Sequence, residues 1–282
     1  MGGLPGYSRP VRPGLLARHA FARLPPPARD RARGIRARLA PARQRRAVEV
    51  LRVARGSGLR PATVVDVGAA YGRWSLECQE VFPDARYLLI EPLSEYSHQP
   101  QSVRPSLHGA IEIEAAATAK AGTIQINVHE DLVGSSLKSE QDGRAFDGVA
   151  REVRAATVDD LCAAHSAGGP YVLKVDVQGA ELDVLEGAER TLAATELVFL
   201  EVSFFRFYHD GPLCHEVMAH MSRRGFVPYD FVDHLYRPLD GALAQLDVVF
   251  ARGEGPLRAL SAYATPEQRA DSAERLRLSQ RA

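Results

Sequence analysis

Apolar positions fall into two patterns along the chain: short unbroken runs ending on a charged residue, and longer stretches with helical spacing. Thr63-Val64-Val65-Asp66-Val67 is β-branched and predicts a buried parallel strand. A glycine-bracketed turn, Gly68-Ala69-Ala70-Tyr71-Gly72, follows, and Trp74, Cys78, Val81 and Phe82 then recur at helical spacing. Residues 85–92 predict a second buried strand, stopped by Pro92, and residues 111–116 a third. Residues 122–128 alternate with period two and predict a half-exposed strand. A further alternating segment lies within 149–158, where Thr157 is placed to cap a short helix. Residues 171–177 form another apolar run, and Leu182, Leu185, Ala188 and Leu192 then mark one helix. Residues 197–203 repeat the device. Leu213, Val217 and Met221 predict a helix ended by Gly225. Residues 226–231 and 246–251 read as the last strands, with Asp240-Gly241 as a turn between them.

Strands alternating with helices predict an α/β chain with a mostly parallel, doubly wound sheet, helices on both faces, and an insertion between its third and fourth core strands. Three regions are expected: an Arg/Pro-rich arm and helix over 1–58, the main domain over 59–252, and a polar tail over 253–282. Residues 1–28, with Pro25-Pro26-Pro27, read as a flexible or polyproline lead-in. Residues 28–55 suggest one or two helices broken near Pro41, with Leu39, Val48, Leu51 and Val53 expected to dock on the domain.

At 282 residues the chain can bury one large core or two small ones. Lys plus Arg and Asp plus Glu both number 35, so net charge points to neither a nucleic-acid nor a membrane partner. From Ser8 to Arg55 every Lys-or-Arg position is arginine; within the Ala/Arg-rich stretch 28–55 no aromatic residues interleave them for base stacking, and they are read as a solvated helical face. Cys78, Cys162 and Cys214 are scattered without a CxxC pair, which reads as free thiols in a reducing compartment and argues against a zinc site. No apolar run approaches the roughly 18 residues of a membrane span, and no basic-then-apolar secretory start is present, so the expected location is cytoplasmic.

Strand, glycine turn and helix form the nucleotide-cradling unit of doubly wound folds. Gly68 and Gly72 permit close backbone approach, and the helix N-terminus after Gly72 offers unpaired N–H groups to an anion. Ala70 stands where the dinucleotide fingerprint wants its second glycine. Glu91 ends the second strand, where such folds place an acid for ribose hydroxyls, and a carboxylate can accept both O–H donors of a diol. The small residues around Ala115 leave room for a flat base. Gly134-Ser135-Ser136-Leu137 is a small polar turn. Asp66, Glu91, Asp176 and Glu201 all end strands and are expected at one edge of the sheet. Lys174 and Asp176, two apart, share a sheet face, and such a pair is costly to bury without purpose. The aromatic stretch Phe204-Phe205-Arg206-Phe207-Tyr208-His209 follows at that edge and is placed to wall a substrate pocket.

The Asp-x-Gly-x-x-x-Gly turn resembles motif I of class I S-adenosylmethionine (SAM) methyltransferases. Leu173-Lys174-Val175-Asp176-Val177-Gln178-Gly179-Ala180-Glu181, followed by Leu185-Glu186-Gly187-Ala188, resembles the FkbM-type family, whose pattern there is L-K-I-D-V-Q-G-A-E and then L-x-G-A. The likeness extends through residues 66–72, 157–161, 200–203 and 208–213 and Gly225-Phe226, covering roughly 60–252. It implies a Rossmann-like methyltransferase fold with an antiparallel last strand. It also implies methyl transfer from SAM to a hydroxyl of a sugar, glycan or secondary metabolite. By that resemblance Asp66, Gly68, Ala69, Tyr71 and Gly72 form the cofactor turn and Glu91 holds the ribose; Ala115 and Ser136 are expected beside them at the cofactor. Asp176 is the first candidate base, with Glu201 and His209 next and Lys174 orienting a carboxylate. A divalent metal held by Asp176 and Glu201 is a second way to activate the hydroxyl. A nucleotide-binding oxidoreductase, or a non-catalytic binding protein of the same fold, are the alternatives, and homo-oligomerisation is left open.

Overall fold

A computed structural model describes residues 45–141, 143 and 147–281. The lead-in, the break near Pro41 and Leu39 lie outside the described residues. The described residues form one compact unit.

Its centre is a seven-stranded sheet ordered β3-β2-β1-β7-β8-β10-β9. The strands are β1 (Thr63–Val67), β2 (Arg86–Ile90), β3 (Ile111–Ile113), β7 (Tyr171–Val175), β8 (Thr195–Ser203), β9 (Phe226–Tyr236) and β10 (Leu243–Arg252). Pairing is parallel from β3 through β8, while β10 runs antiparallel to both β8 and β9. β1 and β7 are buried at every position, as strands covered on both faces must be.

Helices α1 (Ala47–Gly56) and α2 (Arg73–Val81) cover one face, where Leu51, Ala54, Cys78 and Val81 pack with Val64, Val172 and Phe199. The other face is covered by α4 (Val158–Ala164), α5 (Glu181–Glu186), α6 (Glu189–Ala193) and α7 (Cys214–Arg223) through Leu161, Leu185, Leu192, Val217 and Met221. Thr157 caps α4 as expected, its hydroxyl accepting from Asp160 N at 3.0 Å. The insertion is a second sheet, β4 (Ala116–Ala117), β6 (Val149–Ala156) and β5 (Gly122–Val128), in that order. With the four-residue α3 (Glu95–His98) it encloses a small third core of Leu93, Tyr96, Ile126, Val128 and Leu132. A last helix, α8 (Pro266–Arg281), is exposed over residues 266–278. Among the described residues no helix is long and apolar enough to cross a membrane.

Three expectations are corrected. The third strand splits: β3 ends at Ile113, and Ala116–Ala117 join the second sheet beside Ala155 and Ala156. Glu91 N and Ala115 N both donate to Ile113 O, which turns the chain out of the first sheet. The single helix over 182–192 is two, because Gly187 lies where a Cβ would stand 2.1 Å from Thr118 O and the chain must bend past it. Val53, expected to dock, is 43% exposed, whereas Val48 and Leu51 are buried. All three cysteines are free, with Cys78 and Cys162 buried and Cys214 partly so.

β9 forms one edge of the sheet, and the lead-in to α1 lies along it. Asp233, in a bulge with φ +51°, donates its N–H to Arg45 O at 3.4 Å and accepts from Ala47 N at 3.2 Å. Arg45 also pairs with Asp230.

Candidate active site

A cavity of about 400 Å³ opens at the carboxyl ends of β1, β2 and β7. Gly68, Ala70 and Tyr71 form its floor, Glu91 and Leu93 one wall, and Asp176 and Gln178 another. The second sheet and its loop close it with Ala115, Ala116, Ala117, Ile126, Leu132 and Ser136.

Backbone geometry at the floor is specific. Gly68, Ala70 and Gly72 have φ of +75°, +45° and +82°. A Cβ on Gly68 would stand 1.8 Å from Asp176 O, so only glycine lets the ends of β1 and β7 meet. Asp176 N completes that junction by donating to Val67 O at 3.1 Å. Ala69 is buried behind the turn, its N–H directed to Ile90 O.

Glu91 is 7% exposed and accepts from Ala70 N at 3.1 Å and Leu93 N at 3.0 Å. Burial pushes its carboxyl up to about 7, against the pull of the two N–H groups and Arg104. Around it the walls are apolar, and Tyr96 meets Tyr71 edge-to-face at 4.8 Å. Ser136 anchors the covering loop by donating from Oγ to Gln178 O at 2.6 Å.

Beyond Asp176 lies a row of charged groups across four strands. Lys174 Nζ pairs with Asp176 Oδ2 at 2.8 Å. Burial works against the Lys174 charge, but Asp176, Asp66 and Asp247 outweigh it and hold the ammonium above its ordinary pKa. Asp66, fully buried, accepts from Ser75 Oγ at 2.7 Å, and burial lifts its pKa. Asp66 therefore sits behind the turn, not among the cavity-lining residues. Gln178, with φ +56°, donates through Nε2 to Asp176 Oδ1 at 3.1 Å and Glu201 Oε2 at 2.9 Å. Gln245 Nε2 donates to the same Glu201 oxygen at 2.8 Å, and Tyr208 Oη donates to Gln178 Oε1 at 3.2 Å. Burial pushes Glu201 well above the carboxylate range, and Asp247, its pairing partner on β10, up to about 7.

The structure thus brings Gly68, Tyr71, Glu91, Ala115, Ser136 and Asp176 to one cavity. Lys174 and Glu201 contact it through Asp176 and Gln178. Gly72 packs under the turn against Arg104. His209 is exposed and lies outside the lining, its N–H held by Ser139 O at 2.8 Å. Sequence reasoning assigns no role to Gln178 and Arg104, nor to Gln245 and Asp247 on β10. Gln178 stood inside the quoted D-V-Q-G motif; Arg104 sits in a stretch with no periodicity at all.

The donor set does not fit a metal bridging Asp176 and Glu201. Lys174 takes one Asp176 oxygen, and the Gln178 amide takes the other together with Glu201. Among the described residues no group of three or more His, Cys, Asp and Glu could hold a metal ion.

The methyltransferase FkbM domain profile matches residues 66–228, more than half of the chain. This chain belongs to the FkbM methyltransferase family. The match begins on Asp66, the acid of the floor turn, and takes in Glu91, Asp176, Gln178 and Glu201. The FkbM-family chain is 26% identical over 155 residues to methyltransferase sdnD of Sordaria araneosa, covering 45% of this chain and 60% of that one. Among solved structures it is similar to the FkbM methyltransferase of Methylobacillus flagellatus KT, at 16% identity and TM-score 0.41, over 66% of this chain and 43% of that one. It is also similar to the magnesium protoporphyrin IX methyltransferase of Synechocystis PCC 6803, solved with bound SAM, at 12% identity and TM-score 0.41, over 73% and 76%. The chain therefore spans 60% of the curated relative and under half of the FkbM structure. Its fold is the Rossmann-like arrangement of class I methyltransferases, with the antiparallel strand β10 inserted between β8 and β9.

Proposed function

We propose that this chain is a SAM-dependent methyltransferase acting on a hydroxyl oxygen of a small acceptor, a sugar or glycan unit or a secondary metabolite. The observation that carries the reading is Glu91: a buried carboxylate facing a cavity of about 400 Å³ at the carboxyl ends of parallel strands. A buried acid on an apolar wall is costly unless a donor-rich ligand meets it. A nucleoside fits that chemistry, with its diol donating to Glu91 and its base between Leu93, Tyr96, Ile126 and Leu132. SAM, when bound, supplies an electrophilic methyl group.

The chain's own residues then have distinct tasks. Glu91 holds the ribose, and Ser136 keeps the covering loop on Gln178, which excludes water. Asp176 lines the cavity and is partly exposed, so it can take the proton of an acceptor hydroxyl. Lys174 and Gln178 fix its orientation, one oxygen each. Glu201 is the weaker candidate: burial favours its neutral form, and two amides share its Oε2. Alignment of this kind supplies several kcal/mol of the barrier, and a general base about 10²–10⁴-fold in rate. The carboxyl and amide groups around Asp176 suit a polyhydroxylated acceptor.

Calorimetric titration with S-adenosylhomocysteine tests the reading. The wild type should bind at micromolar level, Glu91→Ala should lose binding, and Asp176→Asn should keep it while losing transfer to acceptors. A folded wild type that binds NADH but not S-adenosylhomocysteine would sink the proposal.

A further inference from the structure

Beneath the cavity floor lies a short 3-10 turn, Arg104–Ser106. Arg104 is 6% exposed, and its guanidinium reaches three partners. Nε donates to Ala70 O at 2.7 Å, and Nη1 donates to Ser97 Oγ at 2.9 Å and to Glu112 Oε2 at 2.8 Å. Nη2 is buried with no hydrogen-bond partner. Its stem lies where a Cβ on Gly72 would come within 2.9 Å of Cγ, and the neighbouring Val103 N donates to Tyr71 O at 3.0 Å. A buried guanidinium with a donor unused is expensive. Something at this position must be gained from it.

The gain is at Ala70. Its φ of +45° is one that an L residue adopts only where its surroundings over-determine it. Ala70 is held from both sides: its N–H donates to Glu91 Oε2 at 3.1 Å, and its carbonyl accepts from Arg104. We propose that Arg104 is a positioning residue for the ribose end of the cavity, clamping Ala70 so that the Ala70 N–H aims Glu91. The proposal rests on reading the cavity as a SAM site. It adds an electrostatic consequence. Glu91 is faced by Asp66 from β1, by Tyr96 from α3 and by Arg104, with the Ala70 and Leu93 N–H groups as its donors. Burial and Asp66 favour its protonated form, while Arg104 and the N–H groups favour the ionised form that accepts both hydroxyls of a diol.

S-adenosylhomocysteine titrations from about pH 5.5 to about 8.5 test this on wild type, Arg104→Gln, Arg104→Lys and Arg252→Gln. Arg252, which is not among the cavity-lining residues, ties its Nε to Thr195 O at 3.1 Å and serves as a guanidinium whose loss is only structural. Wild-type affinity should fall below about pH 7 as Glu91 takes up a proton. Arg104→Gln should bind roughly tenfold more weakly at neutral pH, with the midpoint moved up by about one pH unit. Arg104→Lys keeps the charge but not the fork, so it should weaken binding and leave the midpoint in place. Arg252→Gln should lower thermal stability and leave affinity unchanged. Arg104→Gln binding within about twofold of wild type, or weaker with an unmoved midpoint, overturns the proposal and leaves the SAM reading intact. If Arg104→Gln does not fold, Arg104→Lys with wild-type affinity overturns it equally. A wild type that binds no S-adenosylhomocysteine overturns both.

Discussion

One missing Cβ holds the site together. At Gly68 that atom would stand 1.8 Å from the Asp176 carbonyl, in a backbone with φ +75°. Gly68→Ala should therefore destabilise the protein by roughly 3 kcal/mol, read as a lower urea midpoint, because the tips of β1 and β7 would have to part. At this scale much of the site was legible in the sequence. Strand-terminal acids and turn glycines leave a local mark, an apolar run broken by charge, and that mark singles out Gly68, Glu91 and Asp176, three of the residues that line the cavity. Arg104 leaves none. Its partner Ala70 lies 34 residues away, and its own segment has neither helical nor strand spacing. Gln178 was visible as a motif letter, but its bridging of Asp176 and Glu201 depends on a left-handed backbone that spacing does not report.

Elements were legible where one period runs uninterrupted. β1, β2, β7 and β8 are buried on both faces and read as plain apolar runs. What the periodicity missed are the places where a distant chain segment intrudes. Leu182, Leu185, Ala188 and Leu192 keep helical spacing across Gly187, yet Thr118 O presses against that glycine and splits the helix into α5 and α6. Asp159 N reinforces the break by donating to Gly187 O at 3.0 Å. Gly187→Ala would place its Cβ 2.1 Å from Thr118 O. It should lower stability by roughly 2 kcal/mol, seen as a drop in Tm by calorimetry. The sequence pattern alone would rate the same change as favourable, since alanine is the better helix former.

Across the whole molecule, the site collects acids that folding would rather keep neutral. Burial pushes Glu91, Glu181 and Asp247 each up to about 7. In the unfolded chain such groups titrate near 4. Between those limits the folded state binds more protons than the unfolded state, so stability falls as pH rises. Lys174 titrates far above this window, and His220, pushed down to about 4 by burial, works the other way only below about pH 6.5 and is one group against three. The ligand-free protein should accordingly show a higher Tm near pH 5.5 than near pH 8, by differential scanning fluorimetry; a flat or opposite profile would mean the acids are not buried as described. The far side of the molecule faces a different problem. β9 is an outer strand of eleven residues carrying the exposed side chains of Phe231, Leu235 and Tyr236. A bare strand of that kind is a template on which another chain can build. Here the bulge at Asp233 turns its N–H toward Arg45 O, and Arg45 lies across the strand on Asp230. The residues leading into α1 thus occupy part of an edge on which a second chain could otherwise build, and Arg45→Ala should raise static light scattering of the concentrated protein while leaving the cavity unchanged.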